Sequence, residues 1–237
     1  MNHLKQQLDM KTMMLAFKAT TPVLFGYLAI GIAFGLLLKN AGYPWIIALI
    51  MSVLIYAGAA QYLAVTFFTN NVTFIEVATI TFLVNFRHML YGLSLFDKFN
   101  LTKRLKPYMI FSLTDETYAL LTSINDPVGV NKPKFYFYIA LLNHSYWVIG
   151  SAIGAIAGNF VTINTKGLDF ALTALFIVLL LEQLKSYKTH IPFIIGGCCA
   201  VISIIIIGRT NMLLLSVMLS ILIMLVLKKR IVEDESN

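Results

Sequence analysis

Apolar residues run along this chain in long unbroken stretches, without the rhythm of elements that turn one face to water. The stretches fall at residues 22–38, 45–69, 72–96, 107–124, 135–158, 168–184, 190–208 and 210–227, each of 17 to 25 residues. At about 1.5 Å of rise per residue, a helix of that length crosses or nearly crosses a hydrocarbon layer about 30 Å thick. The connections are short and carry Asn, Pro or Gly, as at Asn40–Pro44, Asn70–Asn71, Asn125–Pro133 and Asn164–Gly167. None is long enough to separate domains. The pattern predicts an all-α polytopic membrane helix bundle forming a single transmembrane domain over residues 1–237.

Composition agrees. Hydrophobic residues make up 59% of the chain and charged residues 12%, with a mean hydropathy of +0.81. A soluble domain carries about twice that share of charge, so a soluble enzyme, a disordered chain and a disulfide scaffold are all excluded. The net charge of +7 lies between and beside apolar segments, as topology determinants do, and makes no nucleic-acid face. Cys198 and Cys199 are adjacent, so on a helix they point about 100° apart and are not expected to pair. Lys5, Lys11 and Lys18 precede Pro22–Leu38, which reads as a retained membrane helix because no cleavage pattern follows it.

Basic residues mark the cytoplasmic side. If all eight segments cross with the N-terminus inside, the loop bearing Lys98, Lys103, Arg104 and Lys106 falls outside, against that rule. If segments 2 (45–69) and 6 (168–184) are instead re-entrant, six spans remain. The N-terminal lysines, that loop, Lys166, Lys185, Lys188 and Lys228–Arg230 are then all inside, with Lys39, Lys132, Lys134 and Arg209 outside. The six-span arrangement is expected, with both termini cytoplasmic. Segment 2 has the chemistry for a break: Tyr56-Ala57-Gly58-Ala59-Ala60-Gln61 puts small residues and an amide at its middle, where non-helical backbone lines a polar cavity. An ordinary helix with a small-residue packing face is the alternative.

A weak internal repeat accompanies this topology. Ala29-Ile30-Gly31 and Gly35 recur as Ala152-Ile153-Gly154 and Gly158, while Gln61 aligns with Gln183 and Arg87 with Arg209. Halves at 19–124 and 135–230, each crossing three times, would be inverted repeats of the kind secondary transporters use. The glycine series Gly31/Gly35 and Gly150/Gly154/Gly158 reads first as a surface for close helix packing.

Candidate chemistry concentrates in segments 3 to 5. Arg87, in Asn85-Phe86-Arg87-His88, lies about ten residues, or roughly 15 Å, from the basic end of its segment. Asp115 and Glu116 lie at a similar distance into segment 4, so the two sets should meet near the midplane. A charge there costs at least about 2.5–3.5 kcal/mol and must be paired or line water. The result is either a static ion pair or a substrate and proton site. His88 either titrates or bonds a backbone carbonyl. Asn143-His144 form a second polar pair at mid-depth, where a satisfied core histidine is the plainer reading. Glu182-Gln183 sits near the end of segment 6, and Glu76 and Asp169 are interfacial. No nucleotide-binding loop, metal-ligand spacing or hydrolase motif occurs, so neither enzyme activity nor a cofactor or metal is expected.

The stretches Pro22–Gly35, Met51–Gln61, Asn85–Leu95, Thr114–Ala119, Tyr146–Gly154 and Gly167–Gln183 cover much of the chain. At these residues the sequence resembles the AzlC family, the large subunits of AzlCD-type branched-chain amino acid exporters. The YAGAxQ stretch and the N-x-RH-x-LY stretch carry most of that specificity. The resemblance implies export of branched-chain amino acids, with a small AzlD-like membrane subunit as partner. Tyr56, Gly58, Gln61, Asn85, Arg87 and His88 match the family pattern without bringing a role with them. The expected function is therefore secondary transport of leucine, isoleucine, valine or methionine across a bacterial cytoplasmic membrane, alone or as an oligomer. The expected pathway residues are Tyr56, Gly58, Gln61, Asn85, Arg87, His88, Asp115, Glu116, Asn143, His144 and Gln183. A channel, a small-molecule receptor or a scaffold subunit without its own transport activity is the alternative.

Overall fold

The computed structural model describes residues 2–69, 72–124, 127, 129–160, 177, 180–181, 184–185, 189–208 and 212–236. Every secondary-structure element among them is helical: α1 (Asn2–Asn40), α2 (Trp45–Leu54), α3 (Gly58–Thr69), α4 (Phe74–Ser94), α5 (Phe96–Leu101), a 3-10 turn (Lys103–Leu105), α6 (Lys106–Phe111), α7 (Asp115–Ser123), α8 (Lys132–Ala157), α9 (Ile191–Ile207) and α10 (Met212–Ser236). The chain packs as two compact units, Met1–Thr173 and Ala174–Asn237. In the second, α9 and α10 pack together, with Cys199 and Ser203 buried on α9.

Two helices in the first unit are long and apolar enough to cross a membrane, Asp9–Asn40 and Lys132–Ala157. They are the packed spine of that unit. Gly35 and Gly154 make the close approach possible: a Cβ at Gly154 would stand 2.1 Å from the Ile32 carbonyl oxygen, and one at Gly35 2.2 Å from that of Ser151. Only hydrogen fits at either position. The expected glycine packing surface is therefore present, and the two repeat-related stretches face each other.

The register of this pair gives its direction. Asp9 bonds Lys134 at 2.6 Å, Thr20 meets Tyr146 at 3.0 Å, Gly154 packs on Ile32, and Gly158 lies against Lys39. Residue numbers rise together, so α1 and α8 run parallel. One end of the unit carries Asp9 and Lys134 (the lower end), and the other carries Lys39 and Gly158 (the upper end).

Segment 2 is broken and folds back on itself. α2 descends from the upper end, the chain turns at Ile55–Ala57, and α3 climbs back past Trp147 and Ile30. The rings of Tyr43, before α2, and Phe68, at the end of α3, lie 5.1 Å apart, so both ends of the segment are at one level. Tyr56 turns the chain in the left-handed region at φ 43°, which costs a non-glycine residue about 1–3 kcal/mol.

Segment 4 corrects the expectation of a full crossing. α6 climbs from the lower end to Phe111, the helix stops at Ser112–Thr114, and α7 returns. At the far end of α7, the Leu121 carbonyl accepts from Lys98 Nζ, and Leu121 clusters with Leu95, Phe99, Met109 and Phe135. The physical reason is a helix start signal inside the apolar run. Thr114 caps α7 through Thr117 N–H at 3.3 Å, and Asp115 and Glu116 occupy its first turn, where carboxylates favour a helix N-terminus.

A second hairpin explains why α1 and α8 are parallel. From the upper end of α1 the chain makes one hairpin, descends through α4, makes the other hairpin from below, and climbs through α8. Lys132 and Lys134 therefore join the N-terminus at the lower end, not the opposite side, as the Asp9–Lys134 ion pair shows. Inverted halves at 19–124 and 135–230 require α1 and α8 to run oppositely, and they do not. Segment 6 lies largely outside the described residues, as do Gln183 and Arg209, so the six-span count is not reached here.

This topology makes a direct prediction. With Cys198 and Cys199 removed, Lys103→Cys and Lys132→Cys should respond alike to an impermeant thiol reagent in intact cells, and Asn40→Cys and Asn159→Cys in the opposite sense. Unlike responses at Lys103 and Lys132 would return segment 4 to a full crossing.

Candidate functional site

The two hairpin tips come together beside Tyr27, near the middle of the long apolar part of α1. Its hydroxyl lies 2.6 Å from Glu116 Oε2 and 2.7 Å from Thr114 Oγ1. With one proton to give, the phenol donates to the carboxylate, the stronger acceptor. Asp115 turns the other way and meets Arg87 of α4, Nη2 to Oδ2, at 2.8 Å. Neighbours on a helix point about 100° apart, so the acidic pair splits, one carboxylate to α1 and one to α4. The expected meeting of Arg87 with this pair is thus present.

Asn143 on α8 closes the third side. Its Nδ2 donates to Thr117 Oγ1 at 3.0 Å, and Thr117 also accepts from Thr114 at 3.0 Å. The side chains of Asn143 and Thr117 are fully buried.

The upper tip is anchored to α8. Gln61 is fully buried, with Nε2 donating to Ser52 Oγ at 3.2 Å and Oε1 accepting from Trp147 Nε1 at 2.8 Å. A Cβ at Gly58 would stand 3.0 Å from the edge of the Trp147 ring. Gln61 and Gly58 therefore hold the hairpin on its scaffold. His144 Nε2 lies 3.1 Å from the Ser52 carbonyl and Nδ1 lies 3.0 Å from the Tyr108 hydroxyl. It is a satisfied core histidine.

Asn85 and His88 are satisfied along their own helix: Asn85 Nδ2 donates to the Thr81 carbonyl at 2.8 Å, and His88 Nδ1 lies 3.2 Å from the Asn85 carbonyl. Neither bonds a hairpin tip through these contacts. Gln183 lies outside the described residues.

Four buried polar side-chain atoms have no hydrogen-bond partner among the described residues: Tyr56 Oη, Arg87 Nε, Asp115 Oδ1 and Asn143 Oδ1. All four belong to a hairpin tip or to a helix packed against one. Each such atom costs about 1–3 kcal/mol unpaired, so their occurrence on the hairpin tips and the helices packed against them is a chemical feature of the fold. Two N-terminal helix ends, those of α3 and α7, also begin at these tips and add positive potential.

Tyr27, Tyr108, Thr114, Thr117 and Trp147 were not singled out from the sequence. For the threonines a signal was there, since Thr114-Asp115-Glu116-Thr117 is a helix start. For the aromatic residues there was none, because a tyrosine in an apolar run looks the same whether its hydroxyl meets lipid headgroups or a carboxylate.

The AzlC protein family model matches residues 22–161, which include both hairpins and α8. An uncharacterized membrane protein of Helicobacter pylori is 40% identical over 91% of this chain and 95% of its own length. The branched-chain amino acid transport protein AzlC of Bacillus subtilis is 39% identical over 93% of this chain and 87% of its own. The inner membrane protein YgaZ of Escherichia coli is 30% identical over 73% of this chain and 74% of its own. No solved structure matches the chain.

Proposed function

Since this chain belongs to the AzlC family, a transport protein family and not an enzyme family, we propose that it carries branched-chain amino acids and holds them where the two hairpin tips meet. Leucine, isoleucine and valine are the substrates, with methionine as a near match in volume. The direction is export from a bacterium across its multi-pass cytoplasmic membrane location, with a small AzlD-like subunit beside it.

One observation carries this reading. Of the four unpartnered atoms, Tyr56 Oη and Arg87 Nε offer hydrogens, whereas Asp115 Oδ1 and Asn143 Oδ1 offer lone pairs. An α-amino acid zwitterion is the complement, its carboxylate accepting from the first two and its ammonium donating to the others. The hairpins enter from opposite ends, so movement of either one opens the site to one side, as alternating access requires. Asp115 or Glu116 takes up the coupling proton in this reading, and the sequence holds no nucleotide-binding loop.

The test is counterflow of labelled leucine in proteoliposomes, with and without an AzlD-like subunit. Leucine, isoleucine and valine should compete, while the amine and keto acid analogues of leucine, each lacking one charged group, should not. An imposed pH gradient should drive accumulation without ATP. Absence of counterflow in both preparations would leave the channel or receptor reading.

A further inference from the structure

The break after Leu54 releases a carbonyl. In a continuous helix the Ser52 carbonyl would accept from Tyr56 N–H, but Tyr56 N–H turns to the Met51 carbonyl at 3.3 Å. Ser52 is fully buried, so its carbonyl needs another donor, and His144 Nε2 supplies it at 3.1 Å. A carbonyl only accepts, so the hydrogen is on Nε2. In the neutral ring Nδ1 is then the acceptor and Tyr108 of α6 the donor, at 3.0 Å.

The same imidazole stacks on the Tyr56 ring, with centroids 4.2 Å apart and planes inclined by 30°. Phe111, at the top of α6, lies edge-on to it at 5.8 Å and also reaches Tyr56 at 6.5 Å. Tyr56 itself is strained, 3% exposed and has no partner for its hydroxyl. That hydroxyl makes no close hydrogen bond, though Tyr27 and Thr114 stand near it, so the packing of the ring bears on where it points.

We propose that His144 is a positioning residue: held in one tautomer by the Ser52 carbonyl and Tyr108, it fixes the Tyr56 ring so that the phenol points at the substrate carboxylate. This deepens the proposed function, and it rests on that reading for its link to transport. His144 spends both ring nitrogens on protein, so it acts on the substrate only through Tyr56. The arrangement also joins the upper hairpin tip to the rising arm of the lower one through a single side chain of α8.

Two measurements test it. In leucine counterflow, His144→Leu should raise KM about tenfold and Tyr108→Phe about threefold, with Vmax within about twofold of the parent. In a Tyr56→Phe background, where no phenol remains to be aimed, neither substitution should raise KM further. Tyr108→Phe keeps the ring and its packing, so it reads the effect even if His144→Leu folds poorly. Losses that add to those of Tyr56→Phe would make His144 a packing residue only and overturn the proposal.

The second measurement does not depend on the substrate. In protein labelled with 15N-histidine, the signal lost in His144→Gln should be that of a neutral ring with hydrogen on Nε2, and Tyr108→Phe should shift its Nδ1. Hydrogen on Nδ1, or an Nδ1 indifferent to Tyr108→Phe, would overturn the assignment. If the parent protein moves no leucine, the transport reading fails by itself, and the tautomer result still decides whether His144 is held as described.

Discussion

Replacing Arg87 with alanine should lower both the folded yield and leucine transport, and removing Asp115 as well should recover much of the yield but none of the transport. Arg87 and Asp115 meet through a single contact at 2.8 Å, with side chains about a fifth exposed. Taking away one partner leaves the other charge in a low-dielectric setting, which typically costs about 3–5 kcal/mol. Taking away both removes the uncompensated charge and leaves only a packing defect. The check is a double-mutant cycle on thermal unfolding in detergent, with Arg87→Ala, Asp115→Ala and the pair. A static ion pair and a substrate site predict the same stability cycle but differ in transport. If the double variant folds and still transports at the parent rate, the pair only fastens α4 to the lower hairpin. Strictly additive stability losses would show that the two charges do not interact.

Tyr56→Phe should act in the opposite direction on stability. The hydroxyl it removes is buried and makes no close hydrogen bond, with Tyr27 and Thr114 near it, so the empty protein should gain at most about 1–3 kcal/mol when the oxygen goes. The ring, its stack on His144 and the turn at φ 43° all remain. Leucine should nevertheless bind more weakly, by about tenfold for a lost hydrogen bond to a charged group. A higher melting temperature together with a higher KM is the signature of a group kept for its ligand at the expense of the fold. Tyr56→Phe that melts lower would mean the hydroxyl has a structural partner. Unchanged KM would remove Tyr56 from the site.

How much of this could be read from the sequence depended on whether the cause was local. The break in segment 2 was legible because Gly58 lowers helix preference and Gln61 places an amide in an apolar run. The glycine surface was legible because Gly31/Gly35 and Gly150/Gly154 recur at helical spacing, so they lie on one face whatever surrounds them. The meeting of Arg87 with the acidic pair was legible from depth alone, since an unpaired charge is too costly to leave in a membrane interior.

The break in segment 4 was present in the sequence but masked by hydropathy. Segment 4 is as apolar as a span, yet Thr114-Asp115-Glu116 is a helix start inside it. Read as a full crossing, segment 4 reverses α8, moves Lys132 and Lys134 to the wrong end, and makes the halves look inverted. Charge counting did not expose it, because the rule scores loops and depends on the number of crossings between them.

By itself, the sequence determined that this chain is helical, membrane-embedded and charged at a few paired positions, because propensity, hydropathy and the cost of a buried charge act over one or two turns. Only the tertiary structure decided which carboxylate faces Arg87 and which faces Tyr27, that His144 takes the carbonyl Ser52 releases, and that two hairpins from opposite ends meet. Those outcomes depend on which helices are neighbours and in which direction they run. In an interior as apolar as the lipid around it, direction is set by a few close contacts, Gly154 on Ile32 and Lys134 on Asp9 among them, whose partners lie more than a hundred residues apart.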